Sequence, residues 1–417
     1  MNKKNNIFSV LDIGSSKINC IQSLTERNGI TKIIGQGTIA TTGVRAGIIT
    51  DFEKASESIQ KAITDCEKQS DQIIRNLSVS ISSDKCYTKK VKSKSLIKDE
   101  RVSQNDIEIC INKVIDSVAF SDKKIIHISP VDYSIDNSKG ISNPLNMFGD
   151  ELEVDLLITY IGLNQFKNYI ECITSCNVDV DKIVFSNYAA GLATLNENEL
   201  DIGSVVIDIG ARITTLGIFS NKNFIFSDAI NFGGYDITEA IARKLSISFE
   251  EAEKLKVMHS SVLDNSKEED TSIEIPSINY ENKENYITVT RKDLFELVTP
   301  FYEELLKWVN NSINNSGFSN LIGRVIVFTG GASQIDGLSI LANNLYNFNS
   351  RIGIAKNIKF NFHHILDASH SVSAGLIQNE LNLINININK NLITREKNEE
   401  NRLSFSFLKK WLAENFF

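Results

Sequence analysis

The feature that most constrains this chain is an internal echo. Ile7 to Ile13 reads as a buried strand ending in Asp12-Ile13-Gly14, followed by the turn Gly14-Ser15-Ser16. Ser204 to Phe219 repeats the layout with an apolar strand, Asp208-Ile209-Gly210, a short turn and a return strand. A third apolar strand, Val325 to Gly331, runs into Thr329-Gly330-Gly331-Ala332-Ser333. This recurrence is the chain's most informative organisational feature, and because 417 residues exceed what one hydrophobic core usually holds, two or more globular units are expected.

The three loops share one chemistry. Glycine lets the backbone approach a bulky anion, and exposed N–H groups can donate to its oxygens. Asp12 and Asp208 each end a strand and offer a hard carboxylate to a hydrated Mg²⁺. Ser15, Ser16 and Lys17 add donors and a positive charge suited to a polyphosphate. Neither GxxxxGK[ST] nor GxGxxG is present, so the other common nucleotide cradles do not compete.

Composition narrows the class. The chain is 42% hydrophobic and 23% charged, and Lys plus Arg is 44 against 52 for Asp plus Glu, a formal charge of −8. That balance argues against nucleic-acid binding through a global basic field. No long uncharged apolar stretch predicts a transmembrane helix, and the polar start at Met1 to Asn6 predicts no secretory signal and a cytosolic chain. The six cysteines lack a CxxC pairing and read as reduced core thiols, and no ligand spacing points to a metal site built from side chains alone.

Along the chain, 18–24 and 30–39 read as strands around a turn at Arg27-Asn28-Gly29. Asp51 to Lys68 shows helical spacing with Phe52, Ala55, Ile59, Ala62, Ile63 and Cys66 on one side. From about 84 to 162 the character changes: a Lys- and Ser-rich stretch at 84–104, a helix at 105–118, a strand at 124–135 broken by Pro130, a loop, and a strand from Glu151 to Tyr160. This block reads as a small α/β insertion. Residues 236–259 read as helical, 260–286 as an acidic loop and Lys292 to Ile313 as a long helix. Residues 385–403 have linker composition, and the last fourteen residues are suddenly rich in large apolar side chains.

These residues carry a resemblance. LDIGSSK (11–17), GIITD (47–51), the block 128–154, VVIDIG (205–210), FGGYDITEAIA (232–242), AEKLK (252–256), FTGGASQIDGL (328–338) and SAGL (373–376) are similar to the FtsA family of bacterial cell-division proteins, within the actin, Hsp70 and sugar-kinase superfamily. The resemblance covers nearly the whole chain. It implies an α/β, actin-like (ribonuclease H-like) duplicated ATPase fold with an FtsA-type inserted subdomain and a C-terminal amphipathic helix. Its parts would be 1–83 with 163–195 and 363–384, the insertion 84–162, 196–232 with 301–362, a smaller subdomain 233–300, a flexible linker 385–403 and the helix 404–417.

It also implies roles. Asp12 and Asp208 would hold Mg²⁺ largely through water, while Gly14, Ser15, Ser16 and Lys17 face the β- and γ-phosphates of ATP. Gly210, Gly233 and Gly234 would line the phosphate side, Glu253 and Lys256 would reach the ribose, and Gly330, Gly331, Ala332 and Ser333 would flank the adenine. The alternative for Glu253 and Lys256 is a solvated i,i+3 pair. The family's second phosphate turn runs Gly-Gly-Gly-Thr, whereas this chain has Gly210-Ala211-Arg212-Ile213. Thr214 or Thr215 could replace the missing hydroxyl, and Arg212 could meet phosphate or point to solvent. ATP is therefore expected as a conformational ligand, with at most slow hydrolysis.

The partners implied are the C-terminal peptide of FtsZ, other copies of the chain, further division proteins and the membrane. Arg291 and Lys292, opening RKDLFELVTPFYEELL, are the expected charge contacts for FtsZ. On a helical wheel Phe405, Leu408, Trp411, Leu412 and Phe416 fall within an arc of roughly 140°, with Lys409 at its edge, where it can snorkel toward lipid phosphate. The expected function is a peripheral membrane protein on the cytoplasmic face at the division site, anchoring FtsZ polymers there. The alternatives are an actin-like pilus-assembly protein or a small-molecule kinase of the same superfamily.

Overall fold

The computed structural model describes residues 6–26, 31–118, 122–141, 143–263, 272–276, 286–355, 359–360 and 367–393. Two sheets dominate it. The first runs Asp179–Phe185, Asn76–Ile81, Asn6–Ile13, Lys17–Thr25, Thr31–Ala40 and Lys359–Phe360 in spatial order. The second runs Asn223–Ile230, Thr214–Ser220, Ser204–Ile209, Val325–Thr329 and Asn349–Ile352. In each, an antiparallel three-strand meander is followed by two parallel neighbours. The echo in the sequence is thus a duplication of topology, and each strand ending in Asp-Ile-Gly lies centrally in its sheet.

Central position explains the composition of these strands. Ser204–Ile209 is nearly continuous in apolar residues because both faces of the sheet are covered, and Val205, Val206 and Ile207 are fully buried. One core cluster joins Val10 and Ile21 of the first sheet to Val206 and Val327 of the second. It is completed by Ala189 and Ala190 of the helix Ser186–Thr194 and by Leu376 and Ile377 of the helix Ser371–Ile393. These helices cross so closely that a Cβ on Gly375 would lie 1.7 Å from the Ala189 carbonyl oxygen. Only glycine fits there, and with it the two halves share a spine.

Helix Phe52–Ser70 starts where Asp51 caps it, accepting from the Lys54 amide at 3.2 Å, and stops at Asp71 in the left-handed region. It buries Ala55, Ile59, Ala62, Ile63 and Cys66 as the spacing predicts, but Phe52 in its first turn is 42% exposed.

The block between the two halves of the first unit forms its own four-stranded antiparallel sheet, ordered Tyr87–Leu96, Glu151–Gly162, Lys123–Ile135 and Ser138–Ile141, with the helix Gln104–Val118 packed on it. The Lys-rich stretch is therefore an edge strand. Lys90, Lys92 and Lys94 pair with Asp155, Glu153 and Glu151 on its neighbour, which satisfies the edge with charge. Pro130 does not break its strand, because it sits where the register shifts between Asp155 and Leu156 and no ladder N–H is required.

Three further expectations need correction. The 236–259 segment is two helices, Gly234–Leu245 and Phe249–His259, separated where Ser246 takes a left-handed conformation. The acidic loop 260–286 contains the strand Ser272–Pro276, which pairs with Tyr286–Thr290. The helix begun at Ser371 continues to Ile393, into the stretch assigned to a linker. The Asn/Ile repeat there carries no Gly or Pro, so a helix nucleated on the docked part can propagate. The turn at 27–29, residues 394–403 and the terminal helix 404–417, with Phe405, Leu408, Lys409, Trp411, Leu412 and Phe416, lie outside the described residues.

Candidate functional site

Both repeated turns are closed by the same hydrogen bond. The Gly14 amide donates to the Lys17 carbonyl and the Gly210 amide to the Ile213 carbonyl, each at 3.0 Å. A Cβ on Gly210 would stand 2.8 Å from that carbonyl oxygen, so the turn keeps glycine. The next amides, of Ser15, Ser16, Ala211 and Arg212, donate to no protein acceptor among the described residues. They remain available to an anion.

In the first half, Asp12 accepts from the Ser80 hydroxyl at 2.7 Å and from the Ser373 hydroxyl at 3.4 Å. Burial raises its carboxyl above the ordinary range, while Ser80, Lys17 and Ser373 pull it back. Lys17 Nζ donates to Ser369 Oγ at 2.7 Å, and Ser369 in turn donates to Asp367 at 2.6 Å. Burial lowers the Lys17 ammonium, against the pull of Asp367 and Asp12. Ser15 Oγ accepts the Ala46 amide at 2.8 Å. Ser16 Oγ meets the Tyr235 hydroxyl of the other half at 3.0 Å.

In the second half the side chains diverge. Asp208 is half-buried, and it lines the cleft. Burial and the neighbouring Asp12 charge push it up to about 7. Arg212 does not point to solvent. Its guanidinium pairs with Glu239 and, at 3.5 Å, with Asp236, and lies 5.3 Å from the centre of the Tyr235 ring. Alternation along the strand settles the threonines. Ile213 and Thr215 face the cleft, whereas Thr214 points away and donates to the Phe232 carbonyl at 2.8 Å. The Thr215 hydroxyl is buried without a partner among the described residues.

The helix Phe249–His259 brings Glu253 and Lys256 to the cleft, and they are not a solvated surface pair. Lys256 Nζ donates to Glu253 at 2.7 Å, to the Thr238 hydroxyl at 2.8 Å and to the Gly234 carbonyl at 2.9 Å. Burial lowers its ammonium, against the Glu253 hydrogen bond and charge. Opposite them, Gly330 adopts φ 86° with Asp208 and the Ile209 carbonyl packed against it, which leaves no room for a Cβ. Gly331 to Gln334 then form a short 3-10 turn, held where Tyr302 donates to the Ala332 carbonyl at 2.7 Å.

All three loops open onto one cleft of about 710 Å³, with Asp12 and Asp208 both on its wall. Gly14, Ser15, Ser16, Lys17 and Gly210 line it, and so do Thr215, Gly234, Glu253, Lys256, Gly330, Gly331 and Ala332. Thr214, Gly233 and Ser333 do not. Gly233 packs behind the second turn as the N-cap of Gly234–Leu245, and Ser333 is buried with its hydroxyl on the Gly330 carbonyl at 2.8 Å. Asp367, Ser369, Tyr235 and Tyr302 also line the cleft. Sequence reasoning missed them because each belongs to the site only through packing, though Tyr235 stands inside a motif that carried the resemblance. Arg291 and Lys292 lie elsewhere, exposed at the start of the helix Arg291–Asn315.

The cleft suits a hydrated divalent cation with a polyphosphate. Two carboxyls raised by burial face it, the amides of both turns are open, and a buried hydroxyl has no partner among the described residues.

Family models for "Cell division protein FtsA" match residues 205–375, and for "SHS2 domain inserted in FTSA" residues 85–160. The chain is 32% identical over 361 residues to the cell division protein FtsA of Rhizobium meliloti (strain 1021), covering 84% of this chain and 82% of that one. It is 26% identical over 374 residues to the FtsA of Escherichia coli (strain K12), covering 88% of each. Among solved structures, a PilM-PilN type IV pilus biogenesis complex superimposes with TM-score 0.63 at 14% identity, over 88% of this chain and 97% of that one. MreB5 of Spiroplasma citri bound to ADP gives 0.53 at 14%, over 92% and 98%. At such identities these structures speak for the actin-like fold alone.

Proposed function

The chain belongs to the FtsA family of cell division proteins, and on that premise we propose that it is an ATP-binding, actin-like scaffold holding FtsZ polymers to the cytoplasmic face of the membrane at the division site. The observation that carries this reading is the convergence of Asp12 and Asp208, one from each half, on a single cleft with three glycine loops. Bound there, Mg²⁺ supplies the positive charge that lets both carboxylates ionise and the phosphates approach them. Asp12 and Asp208 are the residues that would hold it. Ser15, Ser16 and Lys17 take the β- and γ-phosphates together with the open amides of both turns. Glu253 and Lys256 reach the ribose, and Gly330, Gly331 and Ala332 flank the adenine.

Ile213 stands where a hydroxyl is expected, and Arg212 is engaged by Glu239 and Asp236. ATP therefore acts as the ligand that draws the halves together, and hydrolysis is slow at most. Arg291 and Lys292 stand at a helix N-terminus, where the macrodipole disfavours cations. That placement supports a role in meeting the acidic FtsZ peptide. The amphipathic segment 404–417 binds lipid weakly in one copy and firmly when copies assemble, and the assembled layer recruits further division proteins.

Sedimentation of FtsZ with anionic phosphatidylglycerol vesicles tests the proposal. The wild-type chain with ATP carries FtsZ into the pellet. Trp411→Glu leaves both proteins in the supernatant, whereas Arg291→Glu pellets without FtsZ. Equal FtsZ pelleting with all three chains overturns the reading.

A further inference from the structure

Polar contacts also join the two halves. Away from the cleft lining, Asn231 donates to Asp84 at 2.6 Å and the Ser227 amide donates to the Thr88 hydroxyl at 3.3 Å. On the cleft wall, the Tyr235 hydroxyl and Ser16 Oγ stand 3.0 Å apart, which joins the first phosphate turn to the second half.

Tyr235 is held in that position from several directions. Its amide donates to the Ala211 carbonyl at 2.8 Å, so its backbone is bolted to the second phosphate turn. The Phe249 ring packs edge-on at 5.1 Å and 87°. The Arg212 guanidinium lies 5.3 Å from the ring centre and Lys256 Nζ 6.0 Å, giving the ring two cationic neighbours. A phenol on a surface loop would swing freely, whereas this one is aimed across the cleft between two turns whose amides are open. Any anion accepting from both turns lies within its reach, and an anionic oxygen is a stronger acceptor for a phenol than a neutral serine hydroxyl.

We propose that Tyr235 is a further polyphosphate-binding residue: its O–H donates to Ser16 in the free protein and to a phosphate oxygen when a nucleotide is bound. One side chain of the second half then touches the ligand held by the first turn and supplies the side-chain donor that Ala211 and Ile213 cannot. Arg212 acts as a positioning residue behind the ring. The inference rests on the nucleotide reading above and deepens it, because it assigns a donor to the phosphates and not to the nucleoside.

The experiment measures equilibrium affinity of the full chain for adenosine, ADP and ATP with Mg²⁺, in wild type and Tyr235→Phe, together with thermal stability. Loss of one charge-assisted hydrogen bond predicts that Tyr235→Phe weakens ADP and ATP about tenfold. Adenosine affinity should hold, and the melting temperature should fall by no more than the loss of one solvent-exposed hydrogen bond allows. An equal loss for adenosine, or none for the phosphorylated ligands, overturns the assignment and leaves the nucleotide reading standing. A wild-type chain that binds none of the three overturns both.

Discussion

After Asp12-Ile13-Gly14 come Ser15, Ser16 and Lys17; after Asp208-Ile209-Gly210 come Ala211, Arg212 and Ile213. The backbones are the same, down to the 3.0 Å glycine hydrogen bond that closes each turn. The side chains are not. Lys17 lines the cleft, whereas Arg212, the cation of the second turn, is neutralised by Asp236 and Glu239 of its own half. Asp12 is served by two hydroxyls and Lys17, whereas burial and the like charge of Asp12 both work against the ionised form of Asp208. Backbone amides donate whatever side chain they carry, so a duplicated turn can keep its anion-binding frame while one copy loses its hydroxyls and hides its charge.

The largest expected effect tests that division of labour directly. Lys17→Ala should weaken ATP binding roughly 10- to 100-fold, the range of a charge-assisted contact, and Arg212→Ala by no more than about threefold. Calorimetric titration of both variants measures the pair, and equal losses would erase the asymmetry between the turns.

The aspartates separate by pH. Asp208 titrates at about 7 folded against 3.8 as an ordinary carboxyl, so the native state keeps a proton that the unfolded chain has released. Stability without ligand therefore falls as pH rises from about 4 toward 7 and then levels off. Asp208→Asn removes that penalty. Its stabilising effect in urea unfolding should be greater at pH 8 than at pH 5 by roughly 1–2 kcal/mol, allowing for water in the cleft. Asp12→Asn should show less of this dependence. A flat profile for Asp208→Asn would mean that burial and the Asp12 charge do not hold the Asp208 proton.

The smallest effects separate two adjacent hydroxyls. Thr214→Val loses the hydrogen bond to the Phe232 carbonyl and should cost about 1 kcal/mol of stability. Thr215→Val removes a buried hydroxyl that has no partner among the described residues and should leave stability unchanged or slightly raised. Matching losses in the same unfolding assay would contradict the alternation that separates them.

Much of this was legible in the sequence because it is local. A strand ending in Asp-Ile-Gly announces itself by an apolar run and a turn residue, and the helix over 52–70 by its 3.6-residue spacing. The Lys-rich edge strand was not, since its outward lysines hide the alternation and its pairing partner lies far along the chain. Ser369 and Asp367 escaped for the same reason: Lys17 reaches Ser369 across 352 positions, and no short window records such a contact.

The sequence by itself determined that two strand–turn units recur and that carboxylates, hydroxyls and glycines stand at their ends, because hydrophobic period and turn chemistry act over a few residues. Only the tertiary structure decided that Arg212 turns to Glu239, that Thr215 and not Thr214 faces the cleft, and that Tyr235 reaches Ser16. Those outcomes depend on how two sheets pack around a shared pair of helices, and packing is set by contacts between residues hundreds of positions apart.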